Sequence, residues 1–278
     1  MNIYEFSLLV CVSSLGAGFL GALTGLGGGV VLVPVLTVFF HVDIRYAIGA
    51  SLVSVIATSS GAAAAYVKEG FSNIRIGMFL EIATTIGALA GAFLAVKIPT
   101  SAIAIIMGGV LLYSAYLSGR PQPIVPLHDK PDPLATRLGM NGSYPSLDGP
   151  RTYYVHNVPT GFGLMFGAGA LSGLLGIGSG AVKVLAMDQA MQIPFKVSTT
   201  TSNFMIGVTA AASAGVYLNR GYIDPGVAMP VMLGVLVGSV IGTRVLARVR
   251  TKYLRWVFSV VIVVLGMEMV YKAVTGQV

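Results

Sequence analysis

Five residues, Gly25-Leu26-Gly27-Gly28-Gly29, interrupt an apolar run that otherwise extends from Ile3 to Phe40. Glycine at this density makes poor helix, because each one loses the most backbone freedom on ordering and brings no side chain to pack. A second cluster, Gly176-Ile177-Gly178-Ser179-Gly180, interrupts the corresponding run in the other half of the chain. In hydrocarbon every N–H and C=O freed by such a break must find a partner within the protein, so a broken helix persists only where it is buried or lines a cavity. Two breaks at matching places point to a binding site at mid-membrane, the arrangement secondary transporters build from discontinuous helices. Glycine that merely lets helices approach closely is the plainer alternative.

The membrane setting follows from composition. Hydrophobic residues make up 55% of the 278, charged residues only 10%, and mean hydropathy is +0.84, whereas a soluble domain carries about 25% charged residues. The net charge of +7 has no basic stripe interleaved with aromatics to carry it, which argues against nucleic acid and for loops that hold a membrane topology. Cys11 is the one cysteine, so no intrachain disulfide forms. The opening Met1-Asn2-Ile3-Tyr4-Glu5 lacks the basic residues of a signal peptide, and the first apolar segment is expected to stay in the mature chain.

Apolar stretches fall at Ile3–Thr24, Val30–Phe40, Ala47–Val67, Ile74–Val96 and Ser101–Leu117, then at Val158–Leu175, Ala181–Met191, Thr201–Leu218, Val227–Leu246 and Trp256–Val274. Val30–Phe40 is too short to cross alone, which makes Ile3–Phe40 a hairpin bent at its glycines, with Pro34 in the second arm. Three regions result: an N-terminal membrane repeat over 1–117, a Pro-rich, solvated cytoplasmic linker over 118–157, and a C-terminal membrane repeat over 158–278. Gly25 and Gly176 lie 151 residues apart, and the same offset pairs Ser51 with Ser202, Tyr66 with Tyr217, Gly87 with Gly238 and Gly91 with Gly242 without a gap. Such correspondence is an internal repeat. If the halves are inverted, Arg45, Lys97, Arg220 and Lys272 lie on one side, Lys183 stays within the membrane, and the other twelve of the 17 Lys and Arg share the opposite side; a parallel layout divides them evenly. The positive-inside rule selects the inverted layout, with the linker cytoplasmic and the two breaks meeting at mid-depth.

Candidate site residues follow from this layout. The backbone of Gly25, Gly27, Gly28 and Gly29 and of Gly176, Gly178, Ser179 and Gly180 would present N–H groups at the start of two short helices. Lys183 sits just inside the second of these, where a buried cation is costly and is a ligand for an anion, a partner of Asp188, or a lysine that snorkels to the interface. Ser51 in one half and Thr200, Thr201, Ser202 and Asn203 in the other can donate to an oxyanion or cap a helix; Thr58, Ser59 and Ser60 are weaker candidates. Glu81 and Asp188 are candidate proton carriers, while Glu5 and Glu268 lie near helix ends. The motifs Gly87-Ala88-Leu89-Ala90-Gly91 and Gly238-Ser239-Val240-Ile241-Gly242 read as packing seams, within the chain or in a homodimer. Catalytic signatures such as HExxH and GxSxG are missing from the sequence, and no metal or cofactor is expected.

The two glycine-rich hairpins, the gapless repeat and the run Pro194-Phe195-Lys196-Val197-Ser198-Thr199-Thr200-Thr201-Ser202-Asn203 together resemble the sulfite exporter TauE/SafE family of bacterial and archaeal membrane proteins. The resemblance covers both halves but not the linker, and Lys183 stands outside the residues that carry it. It implies export of sulfite, sulfoacetate or related organosulfonates across the cytoplasmic membrane. The expectation is therefore an all-α polytopic membrane protein of two inverted repeats, about eight membrane elements, acting as a proton-coupled anion transporter. Its partners would be a small anion and membrane lipids, with no nucleic acid. An anion channel, a carrier of non-sulfur organic anions, and a membrane-embedded enzyme or scaffold are the alternatives.

Overall fold

The computed structural model describes residues 2–24, 28–68, 72–119, 132–145, 149–246 and 251–276. The first half forms α1 (Ile3–Thr24), α2 (Gly29–Phe39), α3 (Ile44–Lys68), α4 (Ile74–Lys97) and α5 (Thr100–Gly119); the second forms α7 (Val158–Leu175), α8 (Gly180–Leu185) running into a π-helical turn (Ala186–Ala190), α9 (Phe195–Asn219), α10 (Pro225–Leu246) and α11 (Thr251–Val274). Between them lie a short helix α6 (Pro133–Arg137) and a hairpin of β1 (Gly142–Tyr144) and β2 (Arg151–Tyr153). This is an all-α polytopic membrane protein. Among the described residues four helices, α1, α4, α7 and α10, are long and apolar enough to cross a membrane, and shorter apolar helices accompany them.

Displacing α3 by 151 residues gives Phe195–Asn219, the bounds of α9, and displacing the start of α4 gives Pro225, the start of α10. The correspondence reaches single atoms. A Cβ on Gly87 of α4 would overlap the Phe166 carbonyl of α7, and one on Gly238 of α10 would overlap the Leu15 carbonyl of α1, with 166 and 15 again one offset apart. Gly169 meets Thr84 as Gly18 meets Val235. His41 and Gln192, one offset apart, both take left-handed backbone with φ of 54° and 58°. Because α1 packs on α10 and α7 on α4, the halves exchange contacts as an isologous pair does. The glycine seams predicted from sequence are thus filled by this chain's own helices.

Burial follows membrane rules. Met78, Ile82 and Ile86, one stripe of α4, are exposed, and so are Met229, Leu233 and Val237, their counterparts on α10; the inward faces carry Gly87, Ala88 and Gly91 instead. Large apolar side chains face outward toward lipid, and small ones let backbones approach. Gly49, near the start of α3, lies against the Tyr222 carbonyl just beyond α9, whereas Ser59, farther along α3, lies against Gly207 in mid-α9. Those two helices therefore run antiparallel.

The linker departs from its expected solvated state. Ala135, Met140, Tyr153 and Val155 are buried in one cluster with Ile76 and Leu80 of α4 and with Met187 and Met191. Asn73, which caps α4 through its own Oδ1 (3.1 Å from the Ile76 N–H), donates from Nδ2 to the Tyr153 hydroxyl at 2.8 Å and to the Met140 carbonyl at 3.1 Å. Burial pushes the Tyr153 phenol up, so it stays neutral there. The described linker residues form a small folded cap on the α4 end of the bundle. Tyr153→Ala is expected to cost about 3 to 5 kcal/mol of cap docking, the range for truncating a buried aromatic, read as faster proteolysis between residues 118 and 157.

Candidate functional site

Both breaks lead into short helices, as the sequence suggests. Gly176 ends α7 in left-handed backbone (φ 67°), its N–H bonded to the Ser172 carbonyl at 2.8 Å. After Ile177 the chain returns to that conformation at Gly178 (φ 70°) and Ser179 (φ 43°), and α8 starts at Gly180. Gly29, the first residue of α2, sits so close that a Cβ on it would lie 3.0 Å from the Gly176 carbonyl and 3.2 Å from Val55. Ser51 of α3 bridges the halves, its hydroxyl donating to the Gly176 carbonyl at 2.8 Å. The breaks therefore meet where α3 and α9 cross. Gly25 and Gly27 lie outside the described residues; Gly28 packs against Val235 and Gly18. Ser51→Ala should lower stability by about 1 kcal/mol through the lost bond, measured by unfolding in mixed micelles.

The hydroxyl run opening α9 does less capping than expected. α9 begins at Phe195 with Pro194 as its N-cap, so these residues sit inside the helix. Thr200 donates back to the Lys196 and Val197 carbonyls, and Ser202 donates to the Gly180 carbonyl at 3.4 Å, tying α9 to the second break. Thr201 accepts from the Asn73 N–H at 3.1 Å, which joins α9 to α4. Asn203 is half-buried on the same helix. Ser179 is 3% exposed and its Oγ has no hydrogen-bond partner among the described residues.

Lys183 is fully buried, yet it does not pair with Asp188. Its Nζ donates to Thr209 Oγ1 of α9 at 2.5 Å, and Thr209 Oγ1 lies 2.7 Å from Glu81 Oε1 of α4. One threonine hydroxyl thus accepts from the ammonium and donates to the carboxylate. Thr85 also donates to Oε1 at 3.1 Å, while Glu81 Oε2 is buried with no hydrogen-bond partner among the described residues. The two bonds share an oxygen, so the charges are at most their sum apart; at ~5 Å and an effective dielectric of ~20 the attraction is about 3 kcal/mol. Asp188 lies half-buried in the π-helical turn, outside this chain of bonds. A groove of about 360 Å³ beside Leu89, Phe93, Val216 and Arg220 lies at the far end of α9 from Thr201 and belongs to no part of the network.

Sequence reasoning named Lys183 and Glu81 separately and missed Thr209, which joins them. The repeat could have found it, since Thr209 is Thr58 displaced by 151 residues. Lys183 displaced back is Leu32, and Glu81 displaced forward is Met232. The charged network therefore breaks the pseudosymmetry that the packing keeps.

Comparison with known proteins gives the family. The family model described as Sulfite exporter TauE/SafE matches residues 10–269. The chain belongs to that family. As a TauE/SafE family member it is a multi-pass membrane transporter. It is 26% identical over 280 residues to "Probable membrane transporter protein YunE" of Bacillus subtilis (strain 168), covering 97% of this chain and 99% of that one. It is likewise 26% identical to "Probable membrane transporter protein MJ0441" of Methanocaldococcus jannaschii, covering 96% and 97%. No solved structure matches it.

Proposed function

We propose that this TauE/SafE protein is an inverted-repeat secondary transporter that exports small sulfur-containing oxyanions, sulfite or organosulfonates, across the cytoplasmic membrane with proton coupling. The observation that carries the reading is the placement of Lys183, a fully buried ammonium beside the meeting point of two broken helices, held by groups from both halves. A buried cation beside discontinuous helices is what an anion carrier requires. The family description supplies the sulfur oxyanion. For the inverted layout the support is that α3 and α9, equivalent under the repeat, run antiparallel, which a twofold axis in the membrane plane requires. Lys and Arg counts favour the same layout.

Purified protein in proteoliposomes should accumulate sulfite, thiosulfate, sulfoacetate or isethionate against a gradient when a pH difference is imposed. Flux that only dissipates gradients would make the protein a channel, and no flux of any of the four would remove the sulfur-oxyanion assignment. Topology is tested separately. Cysteines at Ser143 and in the segment just before Lys252 should both be shielded from impermeant thiol reagents in intact cells, and labelling of only one would overturn the inverted arrangement.

A further inference from the structure

Lys183 is the shared partner of two negative groups that cannot both stay charged beside it. In the structure its counter-charge is Glu81, reached through Thr209, and among the described residues none donates to the buried Glu81 Oε2. We propose that the transported anion and the Glu81 carboxylate compete for Lys183, so that each anion bound is accompanied by one proton taken up on Glu81. This rests on the transporter reading above.

The argument is one of charge conservation in a desolvated place. With the site empty, ammonium and carboxylate sum to zero. Adding a monoanion would leave one uncompensated negative charge inside the bundle, which is far costlier than protonating a carboxylate. A proton on Oε2 converts Glu81 to the neutral acid, Thr209 keeps its place as the ammonium's neutral partner, and the anion supplies the counter-charge. Ammonium, anion and acid again sum to zero. When the anion leaves, Glu81 returns its proton to the same side and pairs with Lys183 again. A proton and a monoanion thus move together in the same direction and the cycle carries no net charge, so export runs down the anion's own gradient and an acid exterior opposes it.

Among the described residues the charged group acting on Glu81 is Lys183, and the one acting on Lys183 is Glu81. Helix α7, packed against α4, carries no ionisable side chain. On α9 the ionisable groups, Lys196 and Tyr217, lie near the two ends; Arg75 and Lys97 lie at the ends of α4; and Asp188 acts on neither partner. The coupling is therefore confined to one pair, which the first-half counterparts of Lys183 and Thr209 cannot reproduce because Leu32 is neutral.

The probe is isethionate, a sulfonate that remains a monoanion across the pH range used. Wild-type protein in weakly buffered detergent should take up about one proton per isethionate bound, and its affinity should tighten about tenfold for each pH unit lowered while Glu81 is ionised. Isethionate binding to the wild type should raise a protonated-carboxyl infrared band that Glu81→Gln lacks; in that variant the lone Lys183 is neutral until the anion arrives, so proton uptake alone does not report on Glu81. An arm without ligand tests the pair itself: infrared difference spectra of Lys183→Met should gain a protonated-carboxyl band that the double variant Lys183→Met/Glu81→Gln lacks. Anion binding without proton uptake, no protonated-carboxyl band when isethionate binds the wild type, or no such band in Lys183→Met would each overturn the exchange. If the band appears as expected but no sulfur oxyanion binds the wild type, it is the transporter reading that has failed, and the exchange falls with it.

Discussion

Gly91→Val is expected to yield no monodisperse folded protein in detergent, because a Cβ at that position would overlap the Ala170 carbonyl of α7. The obstacle is backbone, which cannot rotate away as a side-chain tip can. Relieving it means separating α4 from α7 along the seam that Gly87, Gly91, Gly169 and Gly173 share, and the loss should reach about 4 kcal/mol or more, the level reserved for gross disruption. The same obstacle stands at Gly87→Val and, one repeat on, at Gly238→Val, where the Phe166 and Leu15 carbonyls lie in the way. Gly215→Ala is the contrast, since nothing lies within 4 Å of a Cβ there; in mid-helix it should be neutral or stabilising by up to about 1 kcal/mol. A well-folded Gly91→Val protein, compared by gel filtration and by unfolding in mixed micelles, would show that the α4–α7 seam is looser than described.

The fold was largely legible because membrane helices announce themselves by length and hydropathy, and the repeat supplied a second copy of each boundary. Ile3–Thr24 and Val158–Leu175 come out of the sequence with the bounds they have in the structure. The start of α9 did not, because Ser198 to Asn203 read as a polar cap, whereas their hydroxyls satisfy carbonyls of the preceding turn or of α8 once packed. The linker's fold was hidden for a related reason. Its prolines dominate the composition, while the side chains that dock it, Met140, Tyr153 and Val155, are too scattered to form a periodic signal. At the site, the sequence offered Asp188 for Lys183 because it is near in the chain, and the pairing with Glu81 spans both halves. Gly178 also changes meaning: with φ of 70° and Ile206 3.0 Å from a Cβ, Gly178→Val would strain the backbone itself, so lost transport in that variant would not isolate a ligand role.

Neutralising either end of the Lys183–Thr209–Glu81 chain alone is expected to destabilise the protein by about 3 to 5 kcal/mol, the cost of leaving one member of a buried ion pair without its counter-charge. The loss is capped at the point where the abandoned group becomes neutral, which a lone buried charge does in preference to staying ionised. Lys183→Met and Glu81→Gln combined should cost much less than the two singles added, because the double variant buries no charge. A coupling of about 2 kcal/mol, within the range found for residues in one network, is the expected result of that cycle in reversible unfolding from mixed micelles. The same cycle run with Asp188→Asn in place of Glu81→Gln should be additive to within about 0.5 kcal/mol, since Asp188 makes no bond to Lys183. Anion affinity gives the second readout: Lys183→Met should lose about 1 to 3 kcal/mol of binding, the scale of a charged hydrogen bond, and Lys183→Arg should recover part of it, limited by the different geometry of a planar guanidinium. Additivity with Glu81 and coupling with Asp188 would reverse the assignment of the pair. Full anion affinity in Lys183→Met would leave the ammonium a purely structural partner of Glu81.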